Sequence, residues 1–230
     1  MATAAPGIEA EFSIPQRRAS DVPPSVAGRE ATAYSRYFKP AFDWVVAIIV
    51  LASTLPILVA VAVAVYAEFG RPIFYRQPRV GRHGRVFTVN KFRTMDQDRR
   101  GQRSDGVLTG DRRRTHKSED DPRIRPVGRF LRKWSLDELP QLANVLTGEM
   151  SLVGPRPEVV SVVERYEDWQ HARHQVKPGI TGLWQVTARE VPMRDAIHID
   201  LEYVSRLSPG EDLKILAATL PAVLGQRKGF

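Results

Sequence analysis

The chain contains no cysteine among its 230 residues. Disulfides, thiolate zinc sites and a thiol nucleophile are therefore excluded, and the redox compartment is left open. No glycine-rich phosphate loop follows a strand-like run and no strand-helix unit is repeated, which argues against a doubly wound nucleotide-binding sheet. No secretory signal stands at the start, because the first apolar run begins too late and no small-residue cleavage site follows a short apolar core. Acidic residues are in the minority: 34 Lys and Arg against 26 Asp and Glu leave a formal charge of +8. That balance favours an anionic partner, whether a phosphate ligand, an anionic lipid or nucleic acid, without choosing among them. The length fits one compact domain with attachments.

The first 36 residues are rich in Ala, Pro, Ser and Gly, with few large apolar side chains to offset the entropy of ordering, and read as a flexible tail. A membrane segment is expected over 37–69. From Trp44 to Ala67 no charge interrupts an apolar run of 24 residues, about 36 Å as a helix against a bilayer core of ~30 Å. Pro56 near its middle removes a backbone donor. Basic residues flank both ends, Arg36 and Lys39 before it and Arg71, Arg76 and Arg79 after it. A straight span puts one of these clusters on the wrong side of the membrane, whereas a hairpin that enters and leaves one leaflet keeps both cytoplasmic. Ser53 and Thr54 are the hydroxyls available to carbonyls freed by Pro56. A single kinked spanning helix is the alternative.

Beyond the membrane run, residues 70–230 read as the folded domain. Gly81, His83 and Gly84 mark a hairpin between Ile73 and Phe92. Lys91 and Arg93, two apart at the strand end, are placed to share a face and grip a phosphate. The segment 96–121 is polar and densely charged and reads as a mobile loop; its Arg112, Arg113 and Arg114 run suits a solvated or lipid-facing patch. His116 has no metal-ligand partner at helical spacing and is assigned no role. In "KWSLDELPQLANVLTGEMSLVGPRPE", Asp137 and Glu138 stand at a predicted helix start. Either Ser135 caps it in a capping box with Glu138, or Asp137 caps it with Pro140 at the third helical position, the reading preferred here. Leu139, Leu142, Val145 and Leu146 form the apolar stripe and Gly148 suits the end. A helix start favours ionised carboxylates and bound phosphates alike. Downstream, Leu213, Ile215, Leu216, Leu220, Val223 and Leu224 follow an amphipathic pattern fit for an interface helix or a core-facing one. Trp184 reads as core by default.

The stretches "RVGRHGRVFTVNKFRTM", "DPRIRPVGRFLRKWSLDELPQLANVLTGEMSLVGPRPE" and "KPGITGLWQV", in this order behind a Pro-broken apolar segment, closely resemble the bacterial sugar transferases. These are the monotopic polyprenyl-phosphate sugar-1-phosphate transferases, or phosphoglycosyl transferases. The likeness runs from about Tyr37 to the C-terminus. Larger relatives carry an extra multi-helix membrane region, so this chain looks like the minimal catalytic form. One departure stands out: the residue before the membrane proline is commonly serine in the family and is Leu55 here.

The resemblance implies the following. The fold is α/β of the α+β type, a small, mostly helical domain with a short antiparallel hairpin, anchored by a Pro-broken re-entrant helix and amphipathic interface helices. A nucleoside diphosphate sugar, with uridine expected, gives its sugar-1-phosphate to polyprenyl (undecaprenyl) phosphate and releases nucleoside monophosphate. Asp137 is the nucleophile and forms a phospho-aspartate, a carboxylate route that splits one hard transfer into two. Glu138 is its partner. Mg2+ is held by Asp137, Glu138 and substrate phosphates. Arg156, fixed between two prolines, with Arg132, Lys91 and Arg93, meets phosphate oxygens. The bacterial inner membrane and its anionic lipid are expected partners at the cytoplasmic face, nucleic acid is not, and a homodimer is left open. Glucose or galactose as the sugar, and capsule, exopolysaccharide or glycoconjugate as the product pathway, are expectations of the same kind. A membrane-tethered basic adaptor without chemistry would explain the charge and the anchor, but gives no reason for an Asp-Glu pair followed by Gly-Pro-Arg-Pro.

Overall fold

A computed structural model describes residues 32–96, 121–189 and 191–224. The tail before residue 32, the Arg112–Arg114 run and His116 lie outside these residues.

One helix dominates the N-terminal part. After a π-helical turn at Tyr34–Phe38, α1 runs over Lys39–Phe69, 31 residues or about 46 Å. By length and composition Tyr34–Phe69 is the one stretch among the described residues able to cross a membrane, and only 11% of its most apolar window is buried. Its buried positions, Lys39, Asp43, Ala47, Val61 and Val65, recur at helical spacing, so one stripe faces the rest of the chain. Trp44, Ile49, Leu55, Val59, Val63 and Tyr66 on the other faces are more than half exposed. The expected interruption at Pro56 is not a gap between two helices, because the helix is continuous through it. Nor do the two hydroxyls answer the carbonyl that Pro56 deprives of its donor, that of Ala52. Ser53 and Thr54 both donate to the carbonyl of Val50, at 3.0 and 2.6 Å, the back-bonding that bends helices.

The expected hairpin is present. β1 (Phe74–Val80) pairs antiparallel with β2 (Val86–Phe92), Phe74 opposite Phe92 and Val80 opposite Val86. Its turn needs left-handed backbone at His83 (φ 56°) and Gly84 (φ 78°), and glycine supplies the second without strain. A third strand, β4 (Glu158–Val159), pairs with β1 at Arg79 and Val80 only, so Pro78 lies where β1 has no second neighbour and its missing amide is tolerated. Two three-residue strands the sequence did not announce, β3 (Ser151–Val153) and β5 (Gly179–Thr181), form a parallel pair. Short parallel strands carry no alternation to read, since both faces are covered.

The helices α2 (Pro126–Lys133), α3 (Leu142–Leu146), α4 (Val160–Val163), α5 (Leu183–Thr187), α6 (Ile197–Arg206) and α7 (Pro209–Leu224) complete the architecture, which is mostly helical with a small antiparallel sheet. Phe87, Leu142, Met150, Leu152, Val204 and Ile215 belong to the main core, and Val61, Val65, Phe92 and Leu131 form a second one under the C-terminal half of α1. Trp184 is core as expected, 5% exposed. α7 divides its apolar residues: Ile215 is buried, while Leu213 and Leu220 face outward.

Candidate active site

Asp137 and Glu138 lie on a 3-10 turn, Leu136–Gln141, that precedes α3. Pro140 explains the tight winding, because it can neither donate to the preceding turn nor clear the carbonyl four residues back. Neither expected cap forms. The N-cap position is Ser135, held in left-handed backbone (φ 53°) with no side-chain capping bond, and Asp137 lies inside the turn. A turn this short has little dipole to offer, so the field at the acidic pair comes from side chains.

Three segments deliver those side chains. Lys91, at the end of β2, donates to Glu138 Oε1 at 2.7 Å. Arg156, in the Pro155–Pro157 turn between β3 and β4, reaches the same oxygen through Nη2 at 2.8 Å and Oε2 through Nη1 at 3.5 Å. Arg132, on α2, is steadied by a 2.9 Å bond from its Nε to Thr94 Oγ1 and stands close enough to Asp137 to favour its ionised form.

The two carboxylates therefore differ. Burial alone would raise the Glu138 proton affinity, but Arg156 and Lys91 overcome it and hold the carboxyl well below the usual carboxylate range. Asp137 accepts no hydrogen bond from the described residues. Burial and the neighbouring Glu138 charge push it up to about 6, against the opposing pull of Lys91, Arg132 and Arg156. The result is one fixed counter-ion beside one carboxylate that the described residues leave without a hydrogen bond.

Of the expected phosphate-binding cations, Lys91, Arg132 and Arg156 converge here and Arg93 does not. Arg93 follows the last residue of β2 and turns away. Its guanidinium bonds the carbonyls of Phe69 (3.2 Å) and Met95 (3.1 Å) and lies over the Phe69 ring, so it fastens the C-terminal end of α1. Pro56, Ser53 and Thr54 lie on α1, remote in sequence from the pair. One cation was not anticipated. Arg189, just after α5, feels the charges of Arg156, Glu138 and Asp137 yet makes no hydrogen bond or ion pair with the described residues. A lone arginine outside any motif gives no signal in a single sequence.

A cavity of about 10 Å³ is lined by Arg79, Val89, Lys91, Gln141, Arg156 and Pro157, two of which, Lys91 and Arg156, bond Glu138. That is room for about one water, too little for a nucleotide-sized ligand. No cluster of three or more His, Cys, Asp or Glu suited to a metal occurs among the described residues. Divalent cations that keep several waters and take substrate phosphates as ligands need only one or two protein carboxylates, and the free oxygens of Asp137 with Glu138 Oε2 meet that need.

The acidic pair thus stands among basic side chains, in a chain that also carries one long apolar helix. The chain belongs to the bacterial sugar transferase family, whose sequence profile matches residues 34–226. Similar proteins include the undecaprenyl-phosphate galactose phosphotransferase of Salmonella typhimurium, 41% identical over 196 residues, 83% of this chain and 41% of the relative. The UDP-glucose:undecaprenyl-phosphate glucose-1-phosphate transferase of Escherichia coli is 40% identical over 195 residues, 81% of this chain and 40% of the relative. The exopolysaccharide production protein ExoY of Sinorhizobium fredii is 40% identical over 198 residues, 84% of this chain and 88% of the relative. The chain thus spans about two fifths of the length of the first two and most of the third.

Proposed function

We propose that this protein transfers a sugar-1-phosphate from a nucleoside diphosphate sugar, a UDP-sugar as in the name of the Escherichia coli relative, to undecaprenyl phosphate at the cytoplasmic face of the bacterial inner membrane. The observation that carries the reading is the division of labour between Asp137 and Glu138. Glu138 is tied up by Lys91 and Arg156, while the oxygens of Asp137 accept no hydrogen bond from the described residues and feel the charge of the same cations.

In the proposed route, an Asp137 oxygen attacks the sugar-proximal phosphorus. The bond from that phosphorus to the bridging oxygen breaks, and nucleoside monophosphate leaves with the electron pair. An oxygen of undecaprenyl phosphate then attacks the same phosphorus, and Asp137 departs as carboxylate with undecaprenyl diphosphate sugar as product. Both steps bring anions together, so their cost is electrostatic, and Arg156, Arg132, Lys91 and Arg189 supply fixed positive charge. Mg2+ held by Asp137 and Glu138 would add charge neutralisation at the phosphates. Glu138, besides orienting Lys91 and Arg156, keeps those two cations from pairing with Asp137 and leaves its oxygens open.

The way α1 is fastened supports the proposed membrane placement. At its start, Lys39 and Tyr34 both donate to Asp212 of α7, and Asp43 accepts a 2.7 Å bond from Ser151. At its end, Glu68 accepts a 3.3 Å bond from the Val127 amide, and Arg125 bonds the Glu68 carbonyl at 3.1 Å. A helix fastened at both ends to one domain does not carry its ends to opposite sides of a bilayer. This supports a re-entrant, monotopic anchor whose exposed apolar faces enter one leaflet.

The test is release of nucleoside monophosphate from a panel of nucleotide sugars, with and without undecaprenyl phosphate and magnesium. A labelled sugar phosphate trapped on the unsubstituted protein but not on Asp137→Asn supports the covalent route. Release from no donor in the panel rejects the function.

A further inference from the structure

Arg156 stands between two prolines, and that has a structural cost. Pro155 and Pro157 have no amide hydrogen, so the turn can be held in place almost solely through its carbonyls. All three carbonyls are taken. The Pro155 carbonyl accepts from the Gly179 amide of β5 at 2.9 Å. The Arg156 carbonyl accepts from Arg173 Nη2 at 2.7 Å, and the Pro157 carbonyl from Arg79 Nη1 at 3.0 Å.

Arg173 is 1% exposed, and its guanidinium is aimed by Asp200, also 1% exposed, through a 2.6 Å ion pair and by a 2.9 Å bond to Tyr166 Oη. A fully desolvated cation is a costly way to hold one carbonyl, and it is kept only where its partners are fixed as well. Arg79 is oriented on its other side by Gln77 Oε1 at 2.7 Å and lies 3.7 Å from Glu158. Two guanidinium groups on separate elements thus grip adjacent carbonyls of the residue that engages Glu138 and the residue after it.

We propose that Arg79 and Arg173, the latter oriented by Asp200, are positioning residues that hold the Arg156 guanidinium at the reacting phosphate. The inference rests on the proposed function and adds to it residues that touch neither substrate nor the acidic pair. Their effect passes through Arg156, so they influence the transition state in which Arg156 acts more than donor binding as a whole.

Transfer kinetics are compared for the unsubstituted protein, Arg156→Ala, Arg79→Met and Arg173→Lys, and for each of the last two combined with Arg156→Ala. Misplacement of a charge by an ångström or so lowers turnover by roughly 10- to 100-fold. The expected result is a kcat loss of that order in Arg79→Met and Arg173→Lys, with KM for the donor changed by less than roughly threefold and no further loss in the Arg156→Ala background. A merely structural role lowers the melting temperature and the folded fraction instead, and its losses multiply with that of Arg156→Ala. Multiplying losses, or an Arg79→Met protein with full kcat, overturns the proposal. Arg79 is partly exposed, so its variant carries the test should Arg173→Lys not fold. An unsubstituted protein that transfers from no donor points instead to failure of the proposed function.

Discussion

Asp137 and Glu138 are neighbours in sequence with opposite proton affinities, and the difference has consequences for stability as well as chemistry. The Asp137 affinity is raised in the folded protein, so its ionisation costs folding free energy at every pH above the ~3.9 at which an unfolded aspartate ionises. The Glu138 affinity is lowered, so it contributes stability above ~4.3 that is lost as the pH falls through its depressed folded value. At neutral pH, Asp137→Asn is therefore expected to abolish transfer while raising the melting temperature or leaving it unchanged. Glu138→Gln is expected to impair transfer and lower the melting temperature. Paired activity and melting measurements check this, and a strongly destabilised Asp137→Asn protein would contradict it. The same shift sets a pH dependence. As the proposed nucleophile, Asp137 must be ionised, so kcat/KM is expected to fall tenfold per unit below about pH 6. Higher magnesium should move that limb to lower pH, because a cation on Asp137 competes with the proton. A limb indifferent to magnesium would remove Asp137 from the proposed metal site.

The elements that place the pair depend on close backbone approaches. Gly154 opens the Gly-Pro-Arg-Pro turn where β3 passes β5, and a Cβ there would lie 2.4 Å from the Lys177 carbonyl and 2.9 Å from the Gly179 amide nitrogen. Neither neighbour is a flexible side chain, so the turn itself must shift. Gly154→Ala is expected to lower both stability and transfer, with the activity lost more than 10-fold even where the protein remains folded at the assay temperature. Transfer at the unsubstituted rate would show that the turn is not rigidly held. How far such elements can be read from sequence follows from their chemistry. The hairpin was legible because Gly81, His83 and Gly84 interrupt two alternating runs, and the helix end at Gly148 because its left-handed φ of 79° favours glycine. The start at Ser135 was one of two candidates in the sequence, but its left-handed backbone without a capping bond was not legible, since serine adopts that conformation only under tertiary constraint. The acidic pair and Arg156 were legible through their motifs. Arg93 was misplaced because strand alternation ends at Phe92, and Arg79, Arg173 and Arg189 act through contacts that no local pattern encodes.

At the scale of the whole molecule, α1 does two things at once: it presents apolar faces outward, and its two halves pack against the main core and the second one. The buried ion pair of Lys39 with Asp212, joined by Tyr34 and by Tyr203 at 2.8 Å, fixes its N-terminal end. Arg93, Arg125 and Val127 fix the other. Breaking a buried pair by removing one partner costs about 3–5 kcal/mol, enough for one fastening to decide where a helix end resides. The chain is naturally free of cysteine, which permits a direct test. Ala33→Cys lies exposed at the start of the helix and Arg129→Cys lies exposed on α2 near its end. In intact cells, a thiol reagent that cannot cross the inner membrane is expected to label neither cysteine until the membrane is opened, and then to label both. Labelling of Ala33→Cys alone in intact cells would mean that α1 spans the bilayer, contrary to the re-entrant placement. Adding Asp212→Asn to Ala33→Cys leaves Lys39 without its charge partner and should release the N-terminal end. A fraction of the molecules should then become reactive from outside, while Arg129→Cys with the same substitution stays protected. If Asp212→Asn leaves Ala33→Cys fully protected, the polar fastening does not determine topology, and the flanking basic residues together with Pro56 carry it instead.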